Sequence, residues 1–315
     1  MQDPVYSEIE NRARPTLFAA SGLILLAAVG LWAVELALTL LPVGGDLYTA
    51  ANLLYYLPFV LLPAGLCLAR RPALTQSLRL NPLPLMAAVP AVLLALMSVY
   101  AASALTALWQ ALLGTLGMPA LGGAPVAESS RALTLSIVTM AALPAVCEEL
   151  LFRGFALSAW ETRGTWFALS VTGALFALLH GNVTGLPAYL LVGGVSAFLV
   201  VALDSLYAGI VYHTVYNAAC LVIPYLLAGQ AGEDAALDAG MILAAAAQCL
   251  MVLAMMAMML AAVHMRARLA GRMTIPRIRR PLSARERLML LAAVLVMLAG
   301  NAAVAIVAIQ TGGAV

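Results

Sequence analysis

The length of its apolar runs decides what this chain can fold into. A helix needs about 20 apolar residues to cross the core of a bilayer, and such runs recur from one end of the sequence to the other. Spans are expected at 17–41, 50–69, 83–113, 132–158, 165–181, 186–203, 206–228, 240–264 and 288–311, with Pro90 a candidate kink in the third. Of the 315 residues, 64% are hydrophobic and only 10% charged. Soluble domains run near a quarter charged. The expected fold class is therefore all-α: a polytopic transmembrane helical bundle of about 8–9 spans.

Charge placement supplies the orientation. The net charge is +2, and all 16 basic residues are arginines. Counted through the expected spans, Arg12, Arg14, Arg70, Arg71, Arg79 and Arg163 fall on one side, together with the eight arginines of loop 265–287. The opposite side receives Asp46, Glu128 with Arg131, and Glu233, Asp234 and Asp238. Positive charge stays inside, so the N-terminus is expected in the cytoplasm. The run after Arg14 is long enough to span and reads as a first anchor rather than a cleaved leader. Residence in a prokaryotic cell (inner) membrane is expected, with no nucleic-acid partner. Cys67, Cys147, Cys220 and Cys249 form no CxxC pair, so neither a zinc knuckle nor a disulfide framework is indicated.

Against this background the ionisable residues inside spans stand out, because a charge at mid-membrane costs about 2.5–3.5 kcal/mol on insertion scales and marks a functional site by default. They cluster as Glu148, Glu149 and Arg153, then His180, then His213 with Asn217. Glu35 lies apart and reads as lining the bundle or snorkelling; Asp204 reads as a turn residue. Glu149 and Arg153 are i,i+4 and pair on one helix face, while Glu148 points about 100° away. One glutamate is thus neutralised locally and the other is left to face something else. His213 and Asn217 also share a face.

Depth brings the groups closer. Glu148 stands 13 residues before Glu161, and His180 stands 16 after Gly164. At 1.5 Å per residue these are about 20 and 24 Å from the turn joining their helices, so a carboxylate and an imidazole meet at one level. His213 is only some eight residues beyond the turn at Asp204 and Ser205, and is expected nearer the cytoplasmic side unless that turn lies deeper in the protein. A cavity among these groups is expected to open to the cytoplasm.

Two chemistries fit. Glu148 and His180 can activate a water while His213 and Asn217 stabilise an oxyanion. Alternatively Glu148, His180 and His213 can ligate Zn²⁺, which acidifies a bound water. Asn217 is a poor zinc ligand and a good donor to developing negative charge, which favours the first. No cofactor is assigned, and Zn²⁺ stays as the second choice. A proton-coupled transporter is the rival class, since buried Glu and His also build proton relays. The sequence displays one motif-bearing half and no second copy of it, unlike transporters built from inverted repeats.

The stretches EELLFRG (Glu148 to Gly154), FALLHGN (Phe176 to Asn182) and HTVYN (His213 to Asn217) occur in this order. They resemble the EExxxR, FxxxH and HxxxN motifs of the CAAX-protease and bacteriocin-processing (CPBP, or Abi) family of intramembrane proteases. The resemblance implies an intramembrane endopeptidase acting on a membrane-associated protein or peptide that enters from the bilayer or the cytoplasm. It implies Glu148 as water activator, His180 as its partner, His213 and Asn217 as the oxyanion pair, and Glu149 with Arg153 as support. A non-catalytic immunity or scaffold member of the same family is the further alternative. The implied organisation is N-terminal transmembrane helices over 1–130, a catalytic core over 131–230, and C-terminal helices over 231–315 that carry the arginine-rich loop.

Overall fold

The computed structural model describes residues 15–40, 56, 59–61, 63–65, 68, 78–119, 126–228, 239–273 and 281–311. Its regular elements are helices: α1 (Leu17–Leu40), α2 (Leu85–Thr115), α3 (Ser130–Arg163), α4 (Thr165–Leu179), α5 (Leu186–Leu203), α6 (Leu206–Leu227), α7 (Ala239–Leu269) and α8 (Ala284–Thr311). Among the described residues, seven helices are long and apolar enough to cross a membrane, and α4 is shorter. The chain is an all-α polytopic membrane protein. Of the expected span at 50–69 only scattered residues are described, all of them helical; the rest lies outside the described residues. The helix α2 runs on through Pro90.

The local shape of α3 was not legible from hydropathy. Ser129 caps its start, accepting from the Ala132 amide at 3.2 Å. The helix then alternates between α and π winding, with π segments at Ile137–Ala142 and Leu150–Ala156 on either side of the glutamate pair. A proline ring inside an α-helix clashes with the carbonyl four residues back, and Pro144 stands two residues after the end of the first π segment, so that the carbonyl four back, Met140, lies in the wider winding that relieves the contact.

Close helix contact is bought with small residues. In the α4–α5 hairpin, a Cβ on Gly193 would stand 3.0 Å from the Gly173 carbonyl oxygen and 3.0 Å from the Phe176 ring, so only glycine permits this approach. The outer helices pack around that hairpin: α2 lies against α5, α6 and α7, while α1 lies along α8.

One end of the bundle is tied by polar groups. Arg79 reaches Glu161 in the α3–α4 turn at 2.5 Å and Asp204 in the α5–α6 turn at 3.3 Å. The Leu206 amide donates to the Arg79 carbonyl at 2.8 Å, and Ser205 Oγ donates to the Asn81 carbonyl at 2.7 Å. Arg272, just past α7, donates to the Ala202 carbonyl at 3.2 Å. Three arginine-bearing segments assigned to one side by charge placement therefore meet at one end. Arg79→Met leaves the buried Glu161 carboxylate without its partner and is expected to lower stability by about 1–3 kcal/mol. A downward shift of several degrees in the detergent melting temperature measures this, and an unchanged melting curve refutes it.

Candidate active site

Helix α3 brings Glu148, Glu149 and Arg153 to the interior; Glu149 and Arg153 are fully buried and Glu148 is 7% exposed. Glu149 is bonded on three sides. Its Oε1 stands 3.2 Å from Arg153 Nη1 and 3.1 Å from His213 Nδ1, and its Oε2 accepts from Ser196 Oγ at 2.7 Å. A Cβ on Gly209 would stand 2.5 Å from Glu149 Oε2 and 2.9 Å from Ser196 Oγ, so this carboxylate occupies room that only a glycine on α6 leaves. Arg153 also donates from Nη2 to the Gly193 carbonyl at 2.9 Å, and its guanidinium carbon lies 4.4 Å over the Phe176 ring.

The hydrogen bonds fix the two imidazoles. His180 Nδ1 lies 2.8 Å from the Phe176 carbonyl oxygen, which can only accept, so Nδ1 carries a proton. His213 Nδ1 faces a carboxylate oxygen and likewise donates. Each ring therefore turns Nε2 the other way, and both point at the same atom: Glu148 Oε2 lies 3.8 Å from His180 Nε2 and 4.0 Å from His213 Nε2. That oxygen is buried and has no direct hydrogen-bond partner. The His180 ring is further held by stacking on Tyr189, centroid to centroid 4.1 Å, and by Phe176 at 4.6 Å.

Of the residues expected from sequence, the structure brings together Glu148, Glu149, Arg153, His180 and His213. Asn217 follows His213 by one turn on α6, half-buried, and hydrogen-bonds to no described residue. Glu35 lies in α1, and its side chain is outside the described residues. Asp204 is the left-handed C-cap of α5, a turn residue as expected, and Cys147 is simply buried.

Of the two depths open to His213, the deeper one holds: it reaches the level of Glu148 because α6 begins inside the bundle, with Ser205 and Leu206 buried beside the partly exposed Asp204. Leu78 and Leu206 both pack on Gly154, where an added Cβ would meet them at 3.0 and 3.7 Å. Gly154 is seven residues before Glu161, about 10 Å inward. The most exposed member of the cluster is His180, 22% at the side chain, and it closes α4 at the end away from Arg79 and Glu161.

Phe176 was singled out by its FxxxH spacing, while Tyr189, Ser196 and Gly209 were missed as site residues; Gly209 stands one turn before His213 on the same face, which is the signal that could have found it. Gly209→Ala is expected to lower stability by about 1–3 kcal/mol by overpacking and to displace Glu149 from His213. Thermal unfolding together with the His213 ring signal in a ¹⁵N spectrum tests this; a variant matching wild type in both measurements contradicts it.

A zinc ion asks for a tighter donor set. Around a tetrahedral zinc with bonds near 2.0–2.1 Å, two ligand atoms stand about 3.3 Å apart, whereas the carboxylate-to-imidazole separations here are 3.8 and 4.0 Å. Among the described residues no group of three His, Cys, Asp or Glu side chains has metal-ligating geometry. As they stand, the donors do not fit tetrahedral zinc.

Fold and centre define an integral membrane protein built around a buried carboxylate–imidazole cluster. Residues 130–219, which carry every member of that cluster, match the family model described as type II CAAX prenyl endopeptidase Rce1-like. The match covers 90 of the 315 residues, and over that segment the chain is similar to this family. No curated protein and no solved structure matches the chain.

Proposed function

We propose that the protein is an intramembrane endopeptidase that hydrolyses a peptide bond of a membrane-associated protein or peptide with a glutamate-activated water. The observation that carries the reading is the convergence of two imidazole Nε2 atoms on the unpartnered Oε2 of Glu148, at 3.8 and 4.0 Å. These separations exceed a direct hydrogen bond and suit one water molecule bridging the three atoms.

The oxyanion role asks for a proton on His213 Nε2 as well as on Nδ1, and the Glu149 carboxylate bonded at Nδ1 accompanies that charge. Glu148, assisted by the bare Nε2 of His180, removes a proton from the water as its oxygen attacks the scissile carbonyl. The tetrahedral oxyanion then receives hydrogen bonds from His213 and from the Asn217 amide. As the C–N bond breaks, the proton held at Glu148 passes to the leaving amine. Product acid and amine separate with the enzyme's protons restored.

Glu148→Gln is expected to abolish cleavage while insertion and folding persist. Comparing the membrane peptides that accumulate in cells with wild-type protein and with this variant identifies the substrate; identical peptide pools refute the proposal. Asn217→Ala is expected to reduce kcat by about 10²–10³. In steady-state assays on the peptide so found, wild-type turnover in this variant rules out the oxyanion role. Chelator treatment is expected to leave activity intact, and loss restored by Zn²⁺ overturns the metal-free route.

A further inference from the structure

The short helix α4 poses a problem that the matched segment does not solve alone. Its 15 residues extend about 22 Å, less than a bilayer core of about 30 Å, so His180 at its end sits inside the apolar layer. The last carbonyls of a helix lack intrahelical partners, and in the apolar layer bulk water does not supply them. The Leu178 carbonyl is one of these. It faces the Gly181 amide at a long 3.4 Å and receives a second, shorter bond from Asn301 Nδ2 at 2.8 Å. Asn301 lies on α8, is 8% exposed, and donates also to the Met297 carbonyl of its own helix at 2.8 Å.

Trp32 of α1 closes the other side. A Cβ on Gly181 would stand 2.5 Å from the Trp32 ring, and one on Gly300 would stand 1.9 Å from it. Gly181 adopts φ +66° and follows His180 directly, so the tryptophan presses on the backbone that aims the imidazole. Since α1 and α8 pack along one another, Trp32 and Asn301 act as one body on the residues flanking His180.

We infer that the terminal pair α1–α8 is a clamp that holds the end of α4, with Asn301 and Trp32 as positioning residues for His180. The role in turnover rests on the endopeptidase reading; the ring orientation does not. Without the Asn301 bond the last turn of α4 loses a partner for Leu178, and the Phe176 carbonyl one turn earlier loses its fixed relation to His180 Nδ1.

The test uses full-length protein in nanodiscs with ¹⁵N-labelled histidine, of which the chain has three. Asn301→Leu is expected to broaden or shift the Nδ1-protonated signal of His180 and to leave that of His213, held by Glu149, in place. Trp32→Leu, which removes bulk without adding contacts, is expected to do the same and serves if Asn301→Leu fails to fold. On the peptide found with Glu148→Gln, each variant is expected to lose about tenfold in kcat with little change in KM, as for a loss of transition-state positioning. Unchanged His180 signals in the folded variants overturn the clamp. Equal disturbance of His180 and His213 overturns it too, since that reports general loosening. If wild-type protein cleaves no peptide, the endopeptidase reading fails and the ring signals still decide the clamp.

Discussion

The site hangs on one buried carboxylate. Glu149 neutralises Arg153, orients His213 and receives the Ser196 hydroxyl, so a single anion joins α3, α5 and α6. In water such a pair would add little, because exposed ion pairs contribute about 0–1 kcal/mol. Here removal of one partner strands the other in a fully buried position, a loss of several kcal/mol. The interaction therefore specifies geometry more than it adds stability. It dictates where three helices meet, and through His213 it sets which ring nitrogen is left to face Glu148.

The two adjacent glutamates divide the labour by environment. Glu149 is saturated with donors, whereas Glu148 Oε2 has none and faces two imidazole nitrogens. They are neighbours in sequence, yet the turn of a helix directs them to different surroundings. The π segments on both sides of the pair are the deviation in α3 that accompanies this arrangement. Such bulges recur at functional sites because an added residue re-aims the side chains beyond it. Arg153 and Gly154 both lie within the second one.

Much of this was legible from spacing and hydropathy, and the failures share a cause. Helix existence followed from apolar length, and the Glu149–Arg153 pair followed from i,i+4 geometry, because both are local properties. The level of His213 did not, because it depends on how far the Asp204–Ser205 turn sinks into the bundle. Leu78, Arg79 and Gly154 decide that, and all three are remote from the turn in sequence. The third bond of Glu149 was likewise hidden. No spacing rule links Ser196 to a carboxylate 47 residues earlier.

The same distinction explains why the loop after His180 is tolerated at membrane depth. Non-helical backbone survives there only where protein satisfies its polar groups, and this loop is answered from within and from two other elements. Asn182 accepts from the Thr184 and Gly185 amides at 2.9 and 3.1 Å, and Trp109 of α2 donates to the Val183 carbonyl at 2.8 Å. Asn301 of α8 serves Leu178. Two of these partners, Trp109 and Asn301, lie outside residues 130–219. The segment that carries the reacting groups is thus not self-sufficient in hydrogen bonding, and helices with no motif of their own are part of what makes an imidazole usable inside the bilayer.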